Sequence, residues 1–221
     1  MSRYALFDRT KILLRPLAER RNDVSFFDCF PLDAGIAPFT HPEFPRLVDA
    51  IVQARRAGRP VVWMIGAHVI KQGLARFVVD LIERGMITHL ATNGAGIIHD
   101  FEFALQGSTS EDVARYIRQG DFGMWSDTGR INDIVRDAAA RGEGLGEAVG
   151  RVIEQEKFPH RDLSICAAGW RHGVPVTSHV GIGSDIIHQH PNCDGAAFGA
   201  TSYSDFLVFT QAISQLEGGV Y

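Results

Sequence analysis

Residues 87–105 read ITHLATNGAGIIHDFEFAL and contain an apolar run, a glycine-containing turn and the beginning of a helix. The run at residues 87–91 does not alternate polar and apolar residues, which is typical of a strand that is buried on both faces. The turn at residues 92–96 precedes a helix, whose backbone N–H groups and dipole favour an anion such as a pyrophosphate. It lacks the GxGxxG spacing, so a tight turn that only needs small residues explains it equally well.

The segments around this stretch continue an alternation of helix and strand. An amphipathic helix is predicted at residues 47–56, a buried strand at 61–66 and a second helix at 74–84. A third strand is predicted at residues 174–178, directly after a helix at 164–171. Short apolar strands that are separated by helices indicate a parallel sheet with helices on both faces.

The chain is predicted to form one domain. Residues 46–221 carry the alternation of helix and strand without a linker, a repeat or a low-complexity segment. We therefore predict a single doubly wound, mainly parallel, Rossmann-like α/β domain over this range. Residues 1–45 contain prolines at positions 31, 38, 42 and 45, which break any long periodicity, so this segment is predicted to be an arm or a surface cover.

Composition and charge exclude several classes of protein. With 221 residues, of which 45% are hydrophobic and 22% charged, the chain can bury a substantial core and is unlike a disordered or fibrous sequence. A net charge of −4 gives no general attraction to nucleic acid or to an anionic membrane. The three cysteines show no CxxC spacing, and the first residues contain no apolar signal-peptide core. We therefore predict a cytoplasmic protein that has free thiols, a small-molecule ligand and no nucleic-acid or membrane partner.

A second glycine-containing turn, at residues 181–185, follows the third predicted strand. Because the carboxyl ends of parallel strands converge on one crevice, the two turns are expected to face one ligand. On the helix after the first turn, Asp100 and Glu102 point roughly 200° apart, so at most one of them faces the crevice, and Asp100 is preferred because it lies nearer the turn. The candidate catalytic residues are therefore His99, Asp100, Asp185 and His188.

Histidines near the second turn suggest a metal site as an alternative. His179, His188 and His190 have the side chains that bind zinc and other divalent metals. In this hypothesis they hold a divalent metal together with Asp185 or Asp100, and the metal activates a water molecule. Their spacing is not diagnostic, and polar side chains that cap helices or line a polyamine or nucleotide pocket explain the cluster as well.

Two ordered blocks of the sequence resemble deoxyhypusine synthase, a family of enzymes that move an aminobutyl group from spermidine to a protein lysine using NAD. Residues 66–100 are similar in order and spacing to the family's strand, helix and TTAGG-type turn, and residues 174–187 are similar to its IPVF…GSLGDM segment. The resemblance implies a Rossmann-like NAD fold, a polyamine ligand and, usually, a homotetramer with sites at subunit interfaces. It also implies that NAD lies on the two turns. The cofactor-binding residues would then be Ala67, His68, Thr92, Asn93, Gly94, Ala95, Gly96, Gly181, Gly183 and Ser184.

The sequence departs from this family at positions that carry catalysis. His99 stands where the family has an acidic polyamine-binding residue after the first turn. The family's catalytic lysine lies in a C-terminal Trp-Gly-Lys segment, which this sequence does not contain, so either the chain is truncated at its C-terminus or the transfer site has been lost. We therefore expect a deoxyhypusine synthase-like protein that binds NAD and a small amine, with aminoalkyl transfer left open. A metal-dependent enzyme and a non-catalytic ligand-binding protein are the alternatives.

Overall fold

The computed structural model describes residues 2–35 and 37–221. Within these ranges the chain forms five strands, which are β1 Asn22–Ser25, β2 Val62–Met64, β3 His89–Asn93, β4 Ser108–Glu111 and β5 Val176–His179. The same ranges contain nine α-helices, which are α1 Phe44–Arg56, α2 His68–Lys71, α3 Ala75–Glu83, α4 Gly94–Gln106, α5 Val113–Gln119, α6 Ser126–Arg141, α7 Leu145–Gln155, α8 Ile165–His172 and α9 Gly195–Ser214.

Three strands form a parallel sheet in the order β2-β3-β5. Leu90 of β3 lies opposite Trp63 of β2 and Val176 of β5, so β3 is the central strand. Helices pack over the sheet, with α4 against β3 and with α7, α8 and α9 against β5. The predicted α/β fold with a parallel sheet is therefore confirmed. The strand β3 extends to Asn93, so the first two residues of the predicted turn belong to the strand and α4 begins directly at Gly94.

The N-terminal segment is integrated into the fold more closely than the predicted arm suggests. Its strand β1 pairs antiparallel with β4, which brings Asn22 opposite Glu111. Upstream of β1, Leu17 is buried against Tyr116 and Trp125. The sequence of β1 is NDVS, which is too short and too polar to show a strand pattern, so its pairing with β4 could not be read from the chain locally.

Local capping signals explain where several helices begin and end. The hydroxyl oxygen of Ser164 accepts a backbone N–H from the first turn of α8, and Gly173 ends this helix with a left-handed φ of 65°. The carboxylate of Asp194 caps α9 in the same way, and Asn93 caps α4. These caps fix the ends of the helices that surround the sheet.

The helix α4 is held in place by its apolar face. Ile97, Phe101 and Ala104 are almost completely buried, and the ring of Phe101 packs edge-on against Phe158 at a centroid distance of 5.4 Å. Residues three and four apart share a helix face, so α4 has an apolar face and an opposite face. Because the apolar face is buried, the opposite face is directed toward the carboxyl ends of the strands. No helix in the described ranges has the length and apolar character that crossing a membrane requires.

Candidate ligand-binding site

The structure brings the two glycine-containing turns together at the carboxyl edge of the sheet. The carboxylate of Asp185, from the second turn, lies directly over Gly94 at the start of α4. A Cβ atom at position 94 would overlap this carboxylate, so the absence of a side chain at Gly94 lets the carboxylate lie in this position. The convergence that parallel topology predicts is therefore present in the geometry.

A cavity of about 210 Å³ lies beside this junction. One wall is a stripe of α4 in which Ala95, Ile98, His99 and Glu102 follow the i, i+3, i+4, i+7 spacing of a single helix face. The remaining lining residues come from the N-terminal segment, α2, β4, the start of α5, the loop between α5 and α6, and the second turn with the residue after it. They are Arg20, Lys71, Ser110, Glu111, Val113, Phe122, Ser184, Asp185 and Ile186. Of the residues predicted from the sequence, Ala95, His99, Ser184 and Asp185 line the cavity.

Glu102 is the centre of a buried hydrogen-bond network. Arg20 donates to both carboxylate oxygens of Glu102, with N–O distances of 2.7 and 2.6 Å, and both side chains are 1% exposed. Thr109 and Thr128 donate their hydroxyl protons to the same carboxylate at 2.5 and 2.6 Å. A bidentate guanidinium with two further donors satisfies the buried charge, so Glu102 contributes no net negative charge to the cavity.

His99 is attached to this network through Thr109. Its Nδ1 lies 2.7 Å from the hydroxyl oxygen of Thr109. Burial lowers the pKa of His99 to about 4, with the positive charges of Lys71 and Arg20 acting in the same direction and Glu102 opposing them. His99 is therefore neutral at physiological pH and presents an imidazole, not a cation, to the cavity.

Two further carboxylates face the cavity without an ion-pair partner among the described residues. Glu111 accepts the backbone N–H of Gly123 at 3.1 Å and the indole N–H of Trp125 at 2.9 Å, and burial raises its pKa. Burial also raises the pKa of Asp185, against the opposing effect of His188. Both shifts arise because the charged carboxylate loses solvation in the cavity wall.

Lys71 supplies a positive charge at the same cavity. It is the last residue of α2, and within the described part of the chain no carboxylate lies within 4.0 Å of its ammonium group. Lys71 is not among the site residues predicted from the sequence. Two carboxylates and one lysine without ion-pair partners give a cavity that can interact with both cationic and anionic groups.

The preference for Asp100 over Glu102 as the residue facing the site is wrong. Asp100 is 2% exposed and accepts hydrogen bonds from the hydroxyl of Ser164 at 2.5 Å and from the backbone N–H of Ile165 at 2.7 Å. It therefore ties α4 to the start of α8, on the opposite side from the cavity. The prediction that only one of the two carboxylates faces the crevice agrees with this geometry. The i+3 spacing of Glu102 from His99 was the signal that could have selected it.

The histidines proposed as metal ligands do not come together. His188 accepts the backbone N–H groups of Gly183 and Asp185 at 3.1 Å, so it holds the second turn and does not line the cavity. His190 is buried against the carbonyl oxygen of Gly123, and His179 contacts Thr177 on the sheet. In the ranges that the structure describes, no group of three or more His, Cys, Asp or Glu side chains is arranged to hold a metal ion. The metal hypothesis thus has no geometric support.

The other predicted cofactor-binding residues are divided between interior and surface positions. Thr92 is buried and packs against Gly96 inside the fold, and Asn93 uses its side chain to accept the N–H of Gly96. Ala67 is buried just before α2, and His68 begins that helix. In the second turn, Gly181 and Gly183 are exposed. The hydroxyl of Ser184 donates a hydrogen bond to the carbonyl oxygen of Gly181.

No protein-family model and no curated protein matches the chain. Among solved structures, the chain is similar to ArgZ, an arginine dihydrolase from the ornithine-ammonia cycle in Cyanobacteria, with 18% identity and a TM-score of 0.48. It is also similar to a conserved LOR/SDH protein from Methanococcus maripaludis S2, with 14% identity and a TM-score of 0.45.

These likenesses cover part of longer proteins. Each spans 77% of this chain but only 21% of the arginine dihydrolase and 49% of the LOR/SDH protein. At such low identity and similarity they assign no activity. What the structure itself defines is a mixed α/β protein with a parallel three-stranded sheet and, at the carboxyl edge of that sheet, a cavity whose lining includes several charged side chains.

Proposed function

We propose that this chain is a deoxyhypusine synthase-like, Rossmann-like protein that binds a small cationic amine in the cavity beside α4 and NAD at the adjoining turns. The observation that carries the proposal is the position of Asp185 over Gly94, which joins the two sequence blocks that resemble the family into one site. The cavity volume of about 210 Å³ suits a small ligand or one portion of a larger one.

The charges around the cavity support an amine as the ligand. Glu111 and Asp185 lack ion-pair partners in the described structure, so their negative charges are available to an ammonium group, whereas Glu102 is neutralised by Arg20. A bound ammonium would also favour the ionised form of both carboxylates, whose pKa values burial raises in the free protein. Amine binding is therefore expected to release protons near the raised pKa values of these two groups.

Two groups at the site with full or partial positive charge favour the binding of NAD, and one carboxylate opposes it. The N-terminus of α4 and the ammonium of Lys71 favour a phosphate at this edge of the sheet. The carboxylate of Asp185 lies over Gly94, where it would repel a pyrophosphate unless it is protonated or paired with an amine. We therefore propose that amine and dinucleotide bind cooperatively, because the amine neutralises Asp185. NAD, when bound, would supply a hydride acceptor.

Calorimetric titration of the full chain tests both parts of the proposal. Spermidine and NAD are titrated separately and then each in the presence of the other. We expect spermidine to bind alone and NAD to bind more tightly when spermidine is present, with the reciprocal effect of equal size that linkage requires. Absence of binding by both compounds under every condition would rule out the proposed function.

Replacement of Asp185 by Asn is expected to weaken spermidine binding about tenfold or more, because it removes a partly buried negative charge that faces the ammonium. Glu217→Gln is the matched control, since this carboxylate is exposed and is not part of the cavity lining. Calorimetry of both variants gives the comparison. Equal affinities of the Asp185→Asn variant and the unmodified protein would show that Asp185 does not contact the amine.

Replacement of Gly94 by Ala is expected to reduce spermidine affinity severalfold with little change in thermal stability. The new Cβ would displace the carboxylate of Asp185, and a side-chain end can move without disturbing the backbone. Gly199→Ala on α9 is a suitable control because a Cβ there meets no other atom within 4 Å. Thermal unfolding and calorimetry are measured on both variants. A large loss of stability in Gly94→Ala would indicate that the junction of the two turns is structural.

We also propose that the chain forms the tetramer expected from the family resemblance and that α9 forms part of a subunit interface. This helix is apolar around most of its circumference, yet Tyr203, Phe206, Leu207 and Val208 are 40–62% exposed. A helix that is apolar on all sides is normally buried, so a second copy of the chain is a suitable cover. Light scattering coupled to size-exclusion chromatography tests this proposal, and a monomer at all concentrations would contradict it.

A further inference from the structure

The hydrogen-bond network around Glu102 determines which nitrogen of His99 carries the proton. Arg20 binds both oxygens of Glu102, so this carboxylate is ionised and can only accept hydrogen bonds. Thr109 has a single hydroxyl proton, which it donates to Glu102 over 2.5 Å. The oxygen of Thr109 must therefore accept the remaining hydrogen bond, 2.7 Å long, from Nδ1–H of His99.

The other nitrogen of His99 is consequently unprotonated. A neutral imidazole carries one proton, and here Nδ1 holds it, so Nε2 presents a lone pair. In the described structure Nε2 has no hydrogen-bond partner and is not among the buried unpaired atoms, while the residue lines the cavity. A hydrogen-bond acceptor is thus available to a ligand in the cavity.

We propose that Thr109, Glu102 and Arg20 are positioning residues that hold His99 as the Nδ1–H tautomer, so that Nε2 accepts a hydrogen bond from the ammonium group of the amine. This inference rests on the proposed function for the identity of the ligand, whereas the tautomer itself is a property of the free protein. It also gives a physical role to the histidine that stands where the related family has an acidic residue. A neutral acceptor orients an ammonium group without adding a negative charge beside Glu111 and Asp185.

The network is suited to this role because the side chains that bind Glu102 are buried and His99 stays neutral. Thr128 donates a fourth hydrogen bond to Glu102 at 2.6 Å, and Thr109 and Thr128 are both completely buried. Burial keeps His99 neutral, and the positive charges of Lys71 and Arg20 act in the same direction, against the effect of Glu102. His99 therefore keeps its acceptor across the physiological pH range.

Nitrogen NMR of the histidine-labelled free protein tests the tautomer directly. An unprotonated ring nitrogen resonates well downfield of a protonated one, and the His99→Gln variant identifies which signals belong to this residue. We expect Nε2 of His99 to be unprotonated and Nδ1 protonated in the wild type. Replacement of Thr109 by Val is expected to shift both signals toward a mixture of tautomers, whereas Thr109→Ser, which keeps the hydroxyl, should retain the wild-type pattern.

Spermidine titration of the same variants tests the role of the tautomer in binding. We expect Thr109→Val to lose about tenfold in affinity and Thr109→Ser to stay near the wild type, since one hydrogen bond to a charged group is at stake. A wild-type His99 protonated on Nε2, or a Thr109→Val variant with an unchanged tautomer, would overturn the inference. An altered tautomer with unchanged affinity would overturn the binding role. Absence of spermidine binding to the wild type would refute both the proposed function and the binding role of His99. The NMR experiment would still test the tautomer, because it is measured on the free protein.

Discussion

Replacement of Arg20 by Met is expected to lower the free energy of unfolding by about 3–5 kcal/mol. The side chain of Arg20 is 1% exposed, and its guanidinium pairs with both oxygens of Glu102 and donates a further hydrogen bond to the side-chain oxygen of Asn22 at 2.7 Å. Its removal would leave Glu102 as a buried negative charge supported only by two threonine hydroxyls. Breaking one side of a buried pair costs far more than the pair contributes when it is complete.

Urea unfolding of the Arg20→Met variant and of a matched exposed variant measures this effect. Arg46→Met removes the same side chain from a surface pair with Glu43, in which the two side chains are 79% and 62% exposed, and should cost at most about 1 kcal/mol. A second substitution, Glu102→Met, should restore part of the stability of Arg20→Met, because it removes the unpaired charge. Similar losses for the two single variants would show that the Arg20–Glu102 pair behaves like a surface pair.

The same network shows where prediction from sequence ends. The stretch at residues 87–105 predicts a strand, a turn and a helix. The structure confirms the strand and the helix, because both are determined by local hydrophobic spacing, but β3 passes directly into α4 where the separate turn is predicted. Two of the three residues that bind Glu102 are distant in sequence: Arg20 lies in the N-terminal segment and Thr128 on α6. None of these residues carries a local motif, so only the folded chain reveals that they meet.

Only those features of the site that follow from strand topology and helix periodicity could be predicted from the sequence. Strand topology predicts that the turns at Gly94 and Asp185 meet, because parallel strands end at one edge of a sheet. Helix periodicity also predicts that at most one of Asp100 and Glu102 faces the crevice. It does not predict which one, because that depends on how α4 packs its apolar face. His188 illustrates a further limit: its ring binds backbone N–H groups of its own turn, and residue type alone cannot distinguish such a role from catalysis.

Asp205 gives the second large expected effect, which is a dependence of stability on pH. This carboxylate lies on α9 and is 2% exposed. One of its oxygens accepts backbone N–H groups from Leu145 and Ser178, each at 2.9 Å, and from Gly146 at 3.3 Å, so it joins α9 to the start of α7 and to β5. Burial nevertheless raises its pKa from 3.8 to about 7, with the backbone hydrogen bonds opposing the shift.

The direction of the pH effect follows from proton binding. Between pH 4 and pH 7 the folded protein keeps a proton on Asp205 that the unfolded chain releases, so the stabilising contribution of this group is complete below about pH 4 and is lost as the pH rises to about 7. A pKa difference of this size corresponds to a loss on the order of 4 kcal/mol. His89 and His99 act in the opposite direction, because burial lowers the pKa of each to about 4.

Asp205→Asn isolates the contribution of Asp205 from that of the histidines, since the amide cannot ionise and its oxygen can still accept backbone N–H groups. The difference in unfolding free energy between wild type and variant, measured by urea unfolding from pH 4 to pH 8, should shift by about 4 kcal/mol in favour of the variant as the pH rises. Glu217→Gln, an exposed carboxylate, should give a difference that does not change with pH. A difference for Asp205→Asn that is equally flat would mean that Asp205 titrates at the same pH in the folded and unfolded chains, and that its three backbone hydrogen bonds fully compensate for its burial.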